Sequence, residues 1–341
     1  MDDNRRNFLK STAAGAVAGG LLPGMARSAF AQAAGGAKGP PQMTASPKNM
    51  TFTMLQGETG ASLGVRTDKG IIDIAAAEDA FKLGAPASTD EIIAGDYDPA
   101  ALKSTIDKAV AAGGKYLVSE KTAKFAPVVT SPSKIICVGL NYRDHANEAA
   151  MKIPSEPILF NKYNSALNNH NGTIAVSKEP GHQFDYETEL VAVIGKEARN
   201  VSEADSLDYV FGYTVGQDFS ERDQQLRDGQ WMLGKTGDGW GPIGPWLKTA
   251  DQIDPDDLVL KTFVNGEERQ NAHTSDMIFN VRKIVSFASK YFTLEPGDII
   301  FTGTPSGVIL GYPKDKQVWL KAGDKIVSSI DKIGELHFTL T

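Results

Sequence analysis

The sequence predicts an α+β protein that is rich in β-structure. Short apolar runs separated by Gly, Pro and Asp outnumber the helical patterns, and they do not alternate with helices as a doubly wound parallel sheet requires. The 341 residues include 34 Gly and 17 Pro, which supply turns, and 41% hydrophobic residues, which are enough for a large core. We expect a β-rich main domain over residues 131–341, preceded by a small α+β domain over residues 49–130.

The small domain is expected to begin with strands and to continue with helices. Turns that contain Gly separate three strand-like runs. Ser88 is a suitable N-cap for the first helix, and Gly113 with Gly114 ends the second. The predicted strands are Thr51–Leu55, Ser62–Arg66 and Gly70–Ile74, and the predicted helices are Thr89–Ala94 and Pro99–Ala112.

Residues 131–341 are expected to form mostly strands. The runs there are short, apolar and bounded by turn residues, whereas helical patterns are few. The predicted strands are Lys134–Gly139, Glu189–Ile194, Phe211–Val215, Leu258–Val264, Asp298–Thr302 and Lys325–Ile330. The predicted helices are Arg143–Met151, Ser220–Arg227 and Ile278–Tyr291.

The first 31 residues show the order of features of a twin-arginine export signal. The Arg5–Arg6 pair precedes a weakly apolar stretch, Thr12–Met25, and the small residues around Ala31 suit a signal peptidase. Gly and Pro interrupt the stretch, which is too short for a membrane anchor. A disordered basic N-terminus is the alternative. We expect cleavage after Ala31, a flexible linker over residues 32–48, and a periplasmic protein that is not held in the membrane.

The composition excludes several classes of function. Lys and Arg number 35 against 42 Asp and Glu, which gives a formal net charge of −7, so binding of nucleic acid through charge is not expected. One Cys and five His exclude a disulfide scaffold and a Cys-rich zinc module. Any bound metal would therefore be held by carboxylates.

Two glycine-rich segments match nucleotide-binding patterns by letter only. Residues 229–236 (GQWMLGKT) fit the P-loop pattern, but a charged segment precedes them and a Gly- and Pro-rich segment follows, where a helix would be needed. Residues 239–244 (GWGPIG) fit the dinucleotide fingerprint, but they contain Pro242. Both matches are interpreted as coincidence.

A candidate metal site lies around the segment Asp185–Ile194. Strand alternation places Glu187 and Glu189 on one face, about 6.5–7 Å apart, and Asp218 follows a later apolar run. Like charges beside apolar residues are unfavourable unless a cation lies between them. Oxygen ligands favour Mg²⁺, Mn²⁺ or Ca²⁺ over Zn²⁺. On the spacing alone, two Glu side chains exposed on an edge strand are an equally good interpretation.

Seven segments follow one another in a characteristic order. They are Gly139–His145 (GLNYRDH), Asp185–Gly195 (DYETELVAVIG), Gly216–Asp223 (GQDFSERD), Arg227–Trp231 (RDGQW), Val264–Glu267 (VNGE), Thr274–Phe279 (TSDMIF) and Leu294–Val308 (LEPGDIIFTGTPSGV). With these segments the chain resembles the fumarylacetoacetate hydrolase family. The resemblance covers nearly all residues after the predicted signal and is strongest over residues 134–341. The chain departs from many relatives after the first segment, where Asn161–Ser165 stands in place of a Pro-rich loop.

The resemblance implies a fold, a metal and an assembly. The fold would be the family's mixed β-sandwich roll, and the assembly would be a homodimer. Glu187, Glu189 and Asp218 would hold Mg²⁺, with Mn²⁺ or Ca²⁺ as alternatives, and would leave about three coordination positions for substrate and water. The partner would be a small dicarbonyl or 2-oxo acid that chelates the ion.

The resemblance also implies roles for five further residues. His145 and Glu148 match a dyad in the family's lid, where the carboxylate orients the imidazole and the imidazole draws a proton from water. Lys235 matches an active-site lysine that offsets negative charge on a reacting oxygen. Tyr142 and Thr304 match substrate-binding positions. On spacing alone, a solvated His–Glu pair and an ordinary surface Lys are the alternatives.

The predicted function is a metal-dependent hydrolase that cleaves a C–C bond in an acylpyruvate-like or 1,3-dicarbonyl acid. Decarboxylases of 2-oxo acids, and isomerases and hydratases of aromatic ring-cleavage products, use the same metal site in this family and are alternatives. A non-catalytic periplasmic binder of oxo acids is the alternative from another class. The predicted His145–Glu148 dyad argues against a binder, because chelation alone needs no dyad.

Overall fold

The chain before residue 130 folds into strands covered by helices. The structure is a computed structural model that describes residues 46–176 and 180–341, so the predicted export signal and residues 32–45 of the linker lie outside the described residues. The elements are β1 (Thr51–Gln56), β2 (Ala61–Thr67), β3 (Gly70–Asp73), α1 (Ile74–Phe81), α2 (Thr89–Ala94), α3 (Pro99–Ala111), β4 (Leu117–Val118) and β5 (Phe125–Ala126). The three strands and two helices predicted here are confirmed.

Helix α1 is missing from the sequence prediction. The prediction extends the third strand to Ile74, but β3 ends at Asp73. The Asp73 carboxylate accepts a hydrogen bond from the N–H of Ala76 at 3.1 Å and caps the helix. Ile74 and Ala77 are buried on its inner face. A short apolar run is compatible with either a strand or a buried helix face, and the cap decides between them.

In residues 131–341 the strands outnumber the α-helices, as predicted. The strands are β6 (Ile135–Gly139), β7 (Ile158–Lys162), β8 (Leu167–Asn168), β9 (Gly172–Ile174), β10 (Phe184–Asp185), β11 (Thr188–Ile194), β12 (Val210–Gln217), β13 (Ser220–Glu221), β14 (Gly241–Pro242), β15 (Leu247–Thr249), β16 (Val259–Val264), β17 (Glu267–His273), β18 (Ile299–Phe301), β19 (Lys325–Ile330) and β20 (Gly334–Leu340). The helices are α4 (Arg143–Glu148), α5 (Arg222–Leu226) and α6 (Val281–Tyr291). Each of the six predicted strands matches an observed strand.

The three helices in this region are shorter than predicted. α4 ends at Glu148 rather than at Met151. α5 begins only at Arg222, because Ser220–Glu221 pairs with β10 as strand β13. α6 begins after Asn280, whose side chain caps it. In the part of the chain that the structure describes, no helix combines the length and the apolar character needed to cross a membrane.

A long mixed sheet places β11 in its interior. The strand order is β4-β3-β2-β1-β15-β12-β11-β18-β6-β7, with β5 attached to β1, and β18 runs parallel to β6. Every residue of β11 is buried. Leu190 and Ala192 belong to one hydrophobic cluster, and Val191 and Val193 belong to another on the opposite face. The carboxylates at the start of β11 are therefore carried into the protein interior.

A second sheet supports the same end of β11. Its order is β17-β16-β19-β20-β9. The Thr188 hydroxyl donates to Oγ of Ser328 on β19 at 2.9 Å, and the side-chain amide of Gln217 donates to the same oxygen at 3.0 Å. Paired hydrogen bonds of this kind fix the strand ends, because buried polar groups need partners. The ends of β11 and β12 are thus anchored where the candidate site lies.

The long sheet runs through both regions that the sequence analysis separates. β1 pairs antiparallel with β15, with Thr51 opposite Lys248. Residues on both sides of position 130 therefore contribute to one sheet. The domain boundary between residues 130 and 131 stays a prediction.

Candidate metal centre and lid

Three carboxylates meet where β11 begins and β12 ends. The two strands pair antiparallel with Glu189 opposite Gly216, and the N–H of Asp218 donates to the carbonyl oxygen of Glu187 at 3.0 Å. Glu187, Glu189 and Asp218 are all buried, and one carboxylate oxygen from each lies within 4.8 Å of the others. The predicted convergence is confirmed. The alternative of two exposed Glu side chains on an edge strand is wrong, because β11 is an interior strand.

Two buried lysines balance part of this negative charge. Lys235 Nζ donates to Glu187 Oε2 at 2.7 Å and to Asp218 Oδ2 at 2.9 Å. Lys162 Nζ forms an ion pair with Asp218 Oδ1 at 2.7 Å and donates to the carbonyl oxygen of Phe219 at 3.2 Å. Both lysine side chains are at most 2% exposed. The interpretation of Lys235 as an ordinary surface residue is therefore wrong.

A buried arginine holds Glu187 from another side. Arg222 Nη1 lies 2.7 Å from Glu187 Oε1, and its Nε donates to Asp185 Oδ2 at 2.9 Å. Nη1 also donates to Oε1 of Gln225 at 2.8 Å. Asp185 is fully buried, and Arg222 is 2% exposed. In such a desolvated network, hydrogen bonds orient their groups strongly, so the Glu187 carboxylate has one preferred orientation.

The charges around the site give its groups different proton affinities. Burial raises the pKa of Glu187, but Lys235 and Arg222 outweigh burial and lower it to about 2. Burial, together with the charges of Asp218 and Glu187, raises the pKa of Glu189 well above its ordinary value. Burial alone would lower the pKa of Lys235, but Asp218 and Glu187 raise it. Glu189 is therefore the carboxylate whose charge is least compensated.

The residues present fit a hard divalent cation. Glu189 Oε2 accepts a hydrogen bond from the N–H of Gly303 at 2.6 Å, but within residues 46–176 and 180–341 no Lys or Arg forms an ion pair with it. A cation held by Glu187, Glu189 and Asp218 would compensate that charge. All three ligands are oxygens, the donor type that Mg²⁺, Mn²⁺ and Ca²⁺ prefer.

His145 and Glu148 form a hydrogen-bonded pair on α4. His145 Nδ1 and Glu148 Oε1 are 2.9 Å apart, and the two side chains are only 7% and 17% exposed. The solvated-pair alternative is therefore wrong. An ionised carboxylate only accepts hydrogen bonds, so Nδ1 carries the proton in this pair. The other ring nitrogen, Nε2, is then the basic one.

Hydrogen bonds of the Asn141 side chain attach the start of α4 to the neighbouring segments. Its side-chain amide donates to the carbonyl oxygens of Phe279 at 2.8 Å and Thr302 at 2.6 Å, and its side-chain oxygen accepts from the N–H of Phe279 at 2.8 Å. These three hydrogen bonds join the Asn141 side chain to the segments just before α6 and just after β18. The start of α4 therefore has a fixed attachment point.

His145 on α4, the helix that matches the family's lid, lines a small cavity of about 30 Å³ together with Glu187 and Glu189. Its polar lining consists of His145, Glu187, Glu189, Arg222, Gln225, Lys235 and Thr304, and Phe160, Trp231 and Leu310 are among its apolar lining residues. A space of this size holds roughly one or two water molecules. This free space is therefore too small for a dicarbonyl acid in this structure.

The two predicted substrate-binding residues lie in different places. Thr304 lines the cavity, where its hydroxyl donates to the carbonyl oxygen of Thr188 at 3.1 Å and accepts from the Gln270 amide at 2.9 Å. Tyr142 lines a separate cavity of about 360 Å³ at the start of α4, together with Asp276. Its hydroxyl is buried without a hydrogen bond to any described residue, and burial raises its pKa. Tyr142 does not line the cavity that His145, Glu187 and Glu189 share, although the charge of Glu189 contributes to the rise of its pKa.

The site also contains three residues to which the sequence pattern gives no role: Arg222, Gln225 and Lys162. Lys162 and Arg222 contact the carboxylates, and Gln225 accepts a hydrogen bond from Arg222. Arg222 lies four residues after Asp218, and a basic residue so close to a predicted ligand is a signal that could have been used. Lys162 reaches Asp218 because β7 pairs with β6, and Ile135 lies opposite Lys162. That pairing is a tertiary property, which the sequence pattern of β7 does not show.

The segment that matches the P-loop pattern is part of this centre. Trp231–Gly234 forms a turn of 3₁₀ helix after α5, and Lys235 contacts carboxylates. In the second segment, Gly241–Pro242 forms strand β14 against β8. Neither segment has the strand–loop–helix arrangement that binds phosphate. The interpretation of both matches as coincidence is confirmed.

Three buried carboxylates can hold a cation here, and a helix with an imidazole lies beside them. This combination is typical of metal-dependent enzymes. Comparison with known proteins narrows this class. Residues 134–341 match the family model described as fumarylacetoacetate (FAA) hydrolase C-terminal. The chain belongs to this family, and the resemblance found in the sequence is confirmed.

Several curated relatives are similar over most of this region. The chain is 50% identical over 223 residues to a fumarylacetoacetate hydrolase domain-containing protein 2 homolog from Dictyostelium discoideum, which covers 62% of this chain and 72% of the relative. A mitochondrial oxaloacetate tautomerase from Xenopus laevis is 41% identical over 237 residues, covering 69% and 72%. A 2,4-didehydro-3-deoxy-L-rhamnonate hydrolase from Sphingomonas sp. strain SKA58 is 43% identical over 236 residues, covering 67% and 82%.

Solved structures of the family share the fold. A fumarylacetoacetate hydrolase from Exiguobacterium antarcticum superposes with a TM-score of 0.69 at 30% identity, covering 86% of this chain and 99% of that chain. A fumarylpyruvate hydrolase from Pseudomonas aeruginosa, solved with Mn²⁺ and pyruvate, has a TM-score of 0.56 at 32% identity, covering 64% and 91%. The predicted β-rich α+β fold of the fumarylacetoacetate hydrolase type is confirmed.

Proposed function

We propose that the protein is a divalent-metal-dependent hydrolase that cleaves a carbon–carbon bond in an acylpyruvate-like or other 1,3-dicarbonyl acid. One observation carries this proposal: His145, whose Nδ1 is hydrogen-bonded to Glu148, lines the same cavity as Glu187 and Glu189. A protein that only binds oxo acids needs the carboxylates to hold its metal. It does not need a buried imidazole whose basic nitrogen is fixed by a carboxylate.

The side chains have distinct roles in this reaction. A bound divalent cation supplies Lewis-acid polarisation of the substrate carbonyls. Glu148 holds the proton of His145 on Nδ1, so that Nε2 takes a proton from a water molecule whose oxygen adds to one carbonyl carbon. The bond from that carbon to the carbon between the two carbonyls then breaks. Its electron pair becomes an enolate, and the proton from His145 converts the enolate to a ketone.

Lys235 stabilises the negative charge that develops in this sequence. Its ammonium group lies in the same cavity and donates to Glu187 and Asp218. A positive charge fixed before the reaction lowers the cost of forming an oxyanion or an enolate nearby. Release of a carboxylic acid and a ketone consumes one water, so the reaction is a hydrolysis.

Two relatives support a hydrolase. The relative from Sphingomonas is named a hydrolase of 2,4-didehydro-3-deoxy-L-rhamnonate, and the Pseudomonas fumarylpyruvate hydrolase was solved with Mn²⁺ and pyruvate. The latter also supports Mn²⁺ as the metal of this chain, and Mg²⁺ is proposed beside it because it takes the same oxygen ligands.

A tautomerase is the second candidate, and the relative from Xenopus favours it because its name specifies oxaloacetate tautomerase. In that reaction, His145 would move a proton between carbon and oxygen of a 2-oxo acid. No water would be consumed, and the mass of the substrate would not change. The same pair of residues serves both reactions, so product analysis has to decide between them.

The experiment is a product assay in H₂¹⁸O. The purified protein is incubated with acetylpyruvate, and separately with oxaloacetate, each with Mg²⁺ or Mn²⁺ and with chelator as the control. A hydrolase yields two products from acetylpyruvate, with ¹⁸O in the new carboxylate. Interconversion of the enol and keto forms of oxaloacetate supports the tautomerase, and release of CO₂ supports a decarboxylase. If either occurs while acetylpyruvate is not hydrolysed, the hydrolase proposal is overturned.

Export and assembly are proposed on other grounds. The Arg5–Arg6 pair and the segment that follows it support export by the twin-arginine route to the periplasm. Membership of the family supports a homodimer.

A further inference from the structure

The Glu148 carboxylate on α4 contacts the loop formed by residues 304–311, which follows β18. Glu148 accepts hydrogen bonds from the N–H of Gly307, which lies 2.9 Å from Oε2 and 3.1 Å from Oε1. Oε1 is also the atom that meets His145 Nδ1 at 2.9 Å. The carboxylate that orients the imidazole is therefore itself oriented by a backbone amide in the segment 304–311.

The contact leaves no room for a side chain. A Cβ added at Gly311 would lie 2.4 Å from Cδ and 2.5 Å from Oε2 of Glu148. Gly307 has a φ of +103°, and a Cβ there would lie 2.2 Å from the carbonyl oxygen of Arg269. Glycine is thus required at position 307, where backbone lies close and φ is positive, whereas a side chain at position 311 would displace the Glu148 carboxylate.

Hydrogen bonds from Asp185 and Tyr186, the two residues before Glu187, hold the segment 304–311 in place. The Tyr186 hydroxyl donates to the carbonyl oxygen of Gly307 at 2.8 Å, and Tyr186 is only 1% exposed. The Asp185 carboxylate accepts from the N–H groups of Ile309 at 2.9 Å and Leu310 at 3.0 Å. Glu187, a candidate metal ligand, comes directly after these two residues.

We propose that the segment 304–311, held in place by Tyr186, positions the Glu148 carboxylate and through it the imidazole of His145. Tyr186 does not line the cavity, and its hydroxyl donates to Gly307 rather than to the His145–Glu148 pair, so it is a positioning residue. The same stretch of chain, residues 185–187, carries a metal ligand and fixes the surface on which the lid closes. The part of this inference that concerns turnover depends on the proposed function, whereas the part that concerns lid closure does not.

The first experiment measures lid closure without substrate. Amide hydrogen exchange is followed in peptides that cover residues 141–151 and 303–311 of the intact protein. Tyr186→Phe and Gly311→Ala should both accelerate exchange in these two peptides, the first by releasing Gly307 and the second by pushing Glu148 away. Tyr312→Phe is the matched control, because its hydroxyl lies 3.4 Å from that of Tyr186 and makes no hydrogen bond to Gly307.

The second experiment separates positioning from general packing. Once a substrate is identified, Tyr186→Phe should lower kcat by about 10–100-fold with little change in KM, as expected for a small misplacement of a reacting group. In a Glu148→Gln background, the same change should lower kcat by less than about twofold, because both changes act through one group. Unchanged exchange in Gly311→Ala, or effects on kcat that multiply, would overturn the inference. If Tyr186→Phe folds poorly, Gly311→Ala still tests whether the loop positions Glu148. If the protein proves to have no hydrolase activity, the hydrogen-exchange experiment still tests lid closure.

Discussion

The ammonium group of Lys162 lies 2.7 Å from Oδ1 of Asp218, and neither side chain has exposed surface. This ion pair connects an outer strand of the long sheet, β7, to the end of β12. Together with Lys235 on the other carboxylate oxygen, it encloses Asp218 between two cations. A candidate metal ligand is thus fixed in place before any metal binds.

Removal of Lys162 should be strongly destabilising. Lys162→Met leaves the buried Asp218 with Lys235 as its remaining cation, and breaking one side of a buried pair typically costs about 3–5 kcal/mol. Urea denaturation of the metal-free protein should show this loss. The matched control is Lys332→Met, which removes an exposed pair with Asp257 and should leave the midpoint nearly unchanged. Equal effects of the two changes would contradict the structural role of Lys162.

His170 should make stability depend on pH in the acidic range. Burial, and secondarily the charge of His337, lower the pKa of His170 from 6.5 to about 4. Its Nδ1 accepts a hydrogen bond from the N–H of His337 at 3.2 Å, which a protonated nitrogen cannot do. The unfolded chain therefore binds a proton near pH 6.5 that the folded chain resists until about pH 4, so the free energy of unfolding falls as the pH drops through this window.

The measurement compares wild type and His170→Gln by urea denaturation at pH 7 and pH 4.5. The ring is only partly buried, so solvent screening reduces the effect, and we expect the variant to lose roughly 1–2 kcal/mol less than wild type between the two pH values. His273→Gln, at a partly exposed position beside Asp257, serves as the control. Parallel pH profiles for wild type and His170→Gln would contradict the prediction.

The metal site should be measurable by stability as well as by activity. Saturation with Mg²⁺ or Mn²⁺ at about 100 times the Kd should stabilise the folded protein by about 2.7 kcal/mol. Each of the variants Glu187→Gln and Asp218→Asn should weaken metal binding by more than about 10–100-fold. That range is typical for losing a residue that only supports a metal ligand, and loss of a ligand itself should cost more. Calorimetric titration checks this, with the exposed Glu267→Gln as control. Full activity after exhaustive chelation would exclude a metal-dependent reaction.

The export proposal makes a separate prediction. Replacement of the Arg5–Arg6 pair by two Lys residues should retain the uncleaved precursor in the cytosol, because the twin-arginine route reads this pair. Cell fractionation of the full-length protein and its variant checks the outcome. Undiminished mature protein in the periplasm would exclude that route.

The sequence predicts nine of the twenty strands that the structure describes, and it predicts the carboxylate cluster, because both depend on local patterns. β11 and β12 are recognisable as apolar runs, and the placement of Glu187 and Glu189 follows from strand alternation. Family resemblance adds His145, Glu148 and Lys235. In the structure His145 and Lys235 line one cavity, and Glu148 is hydrogen-bonded to His145. Spacing alone leaves each of these three undecided.

The remaining features depend on contacts between distant segments. Lys162 and Arg222 reach the carboxylates through strand pairing and the turn into α5, and the support of Glu148 by Gly307 spans 159 positions. Helix α1 is missed because the cap at Asp73 ends a run that also suits a strand. Tyr142 illustrates the opposite limit, since a motif position assigned to substrate lies in a different cavity.

The most direct test of the proposed function is the turnover number of His145→Ala on a dicarbonyl acid that wild type cleaves with Mg²⁺ or Mn²⁺. Loss of a positioned general base should lower kcat by about 10²–10⁴-fold, while the Kd for the metal stays close to that of wild type. Glu148→Gln should cost as much or less, and the double variant should be far from additive because the two side chains act as one unit. A His145→Ala protein that keeps the kcat of wild type would show that the His145–Glu148 pair takes no part in the reaction, and would contradict the proposed hydrolase mechanism.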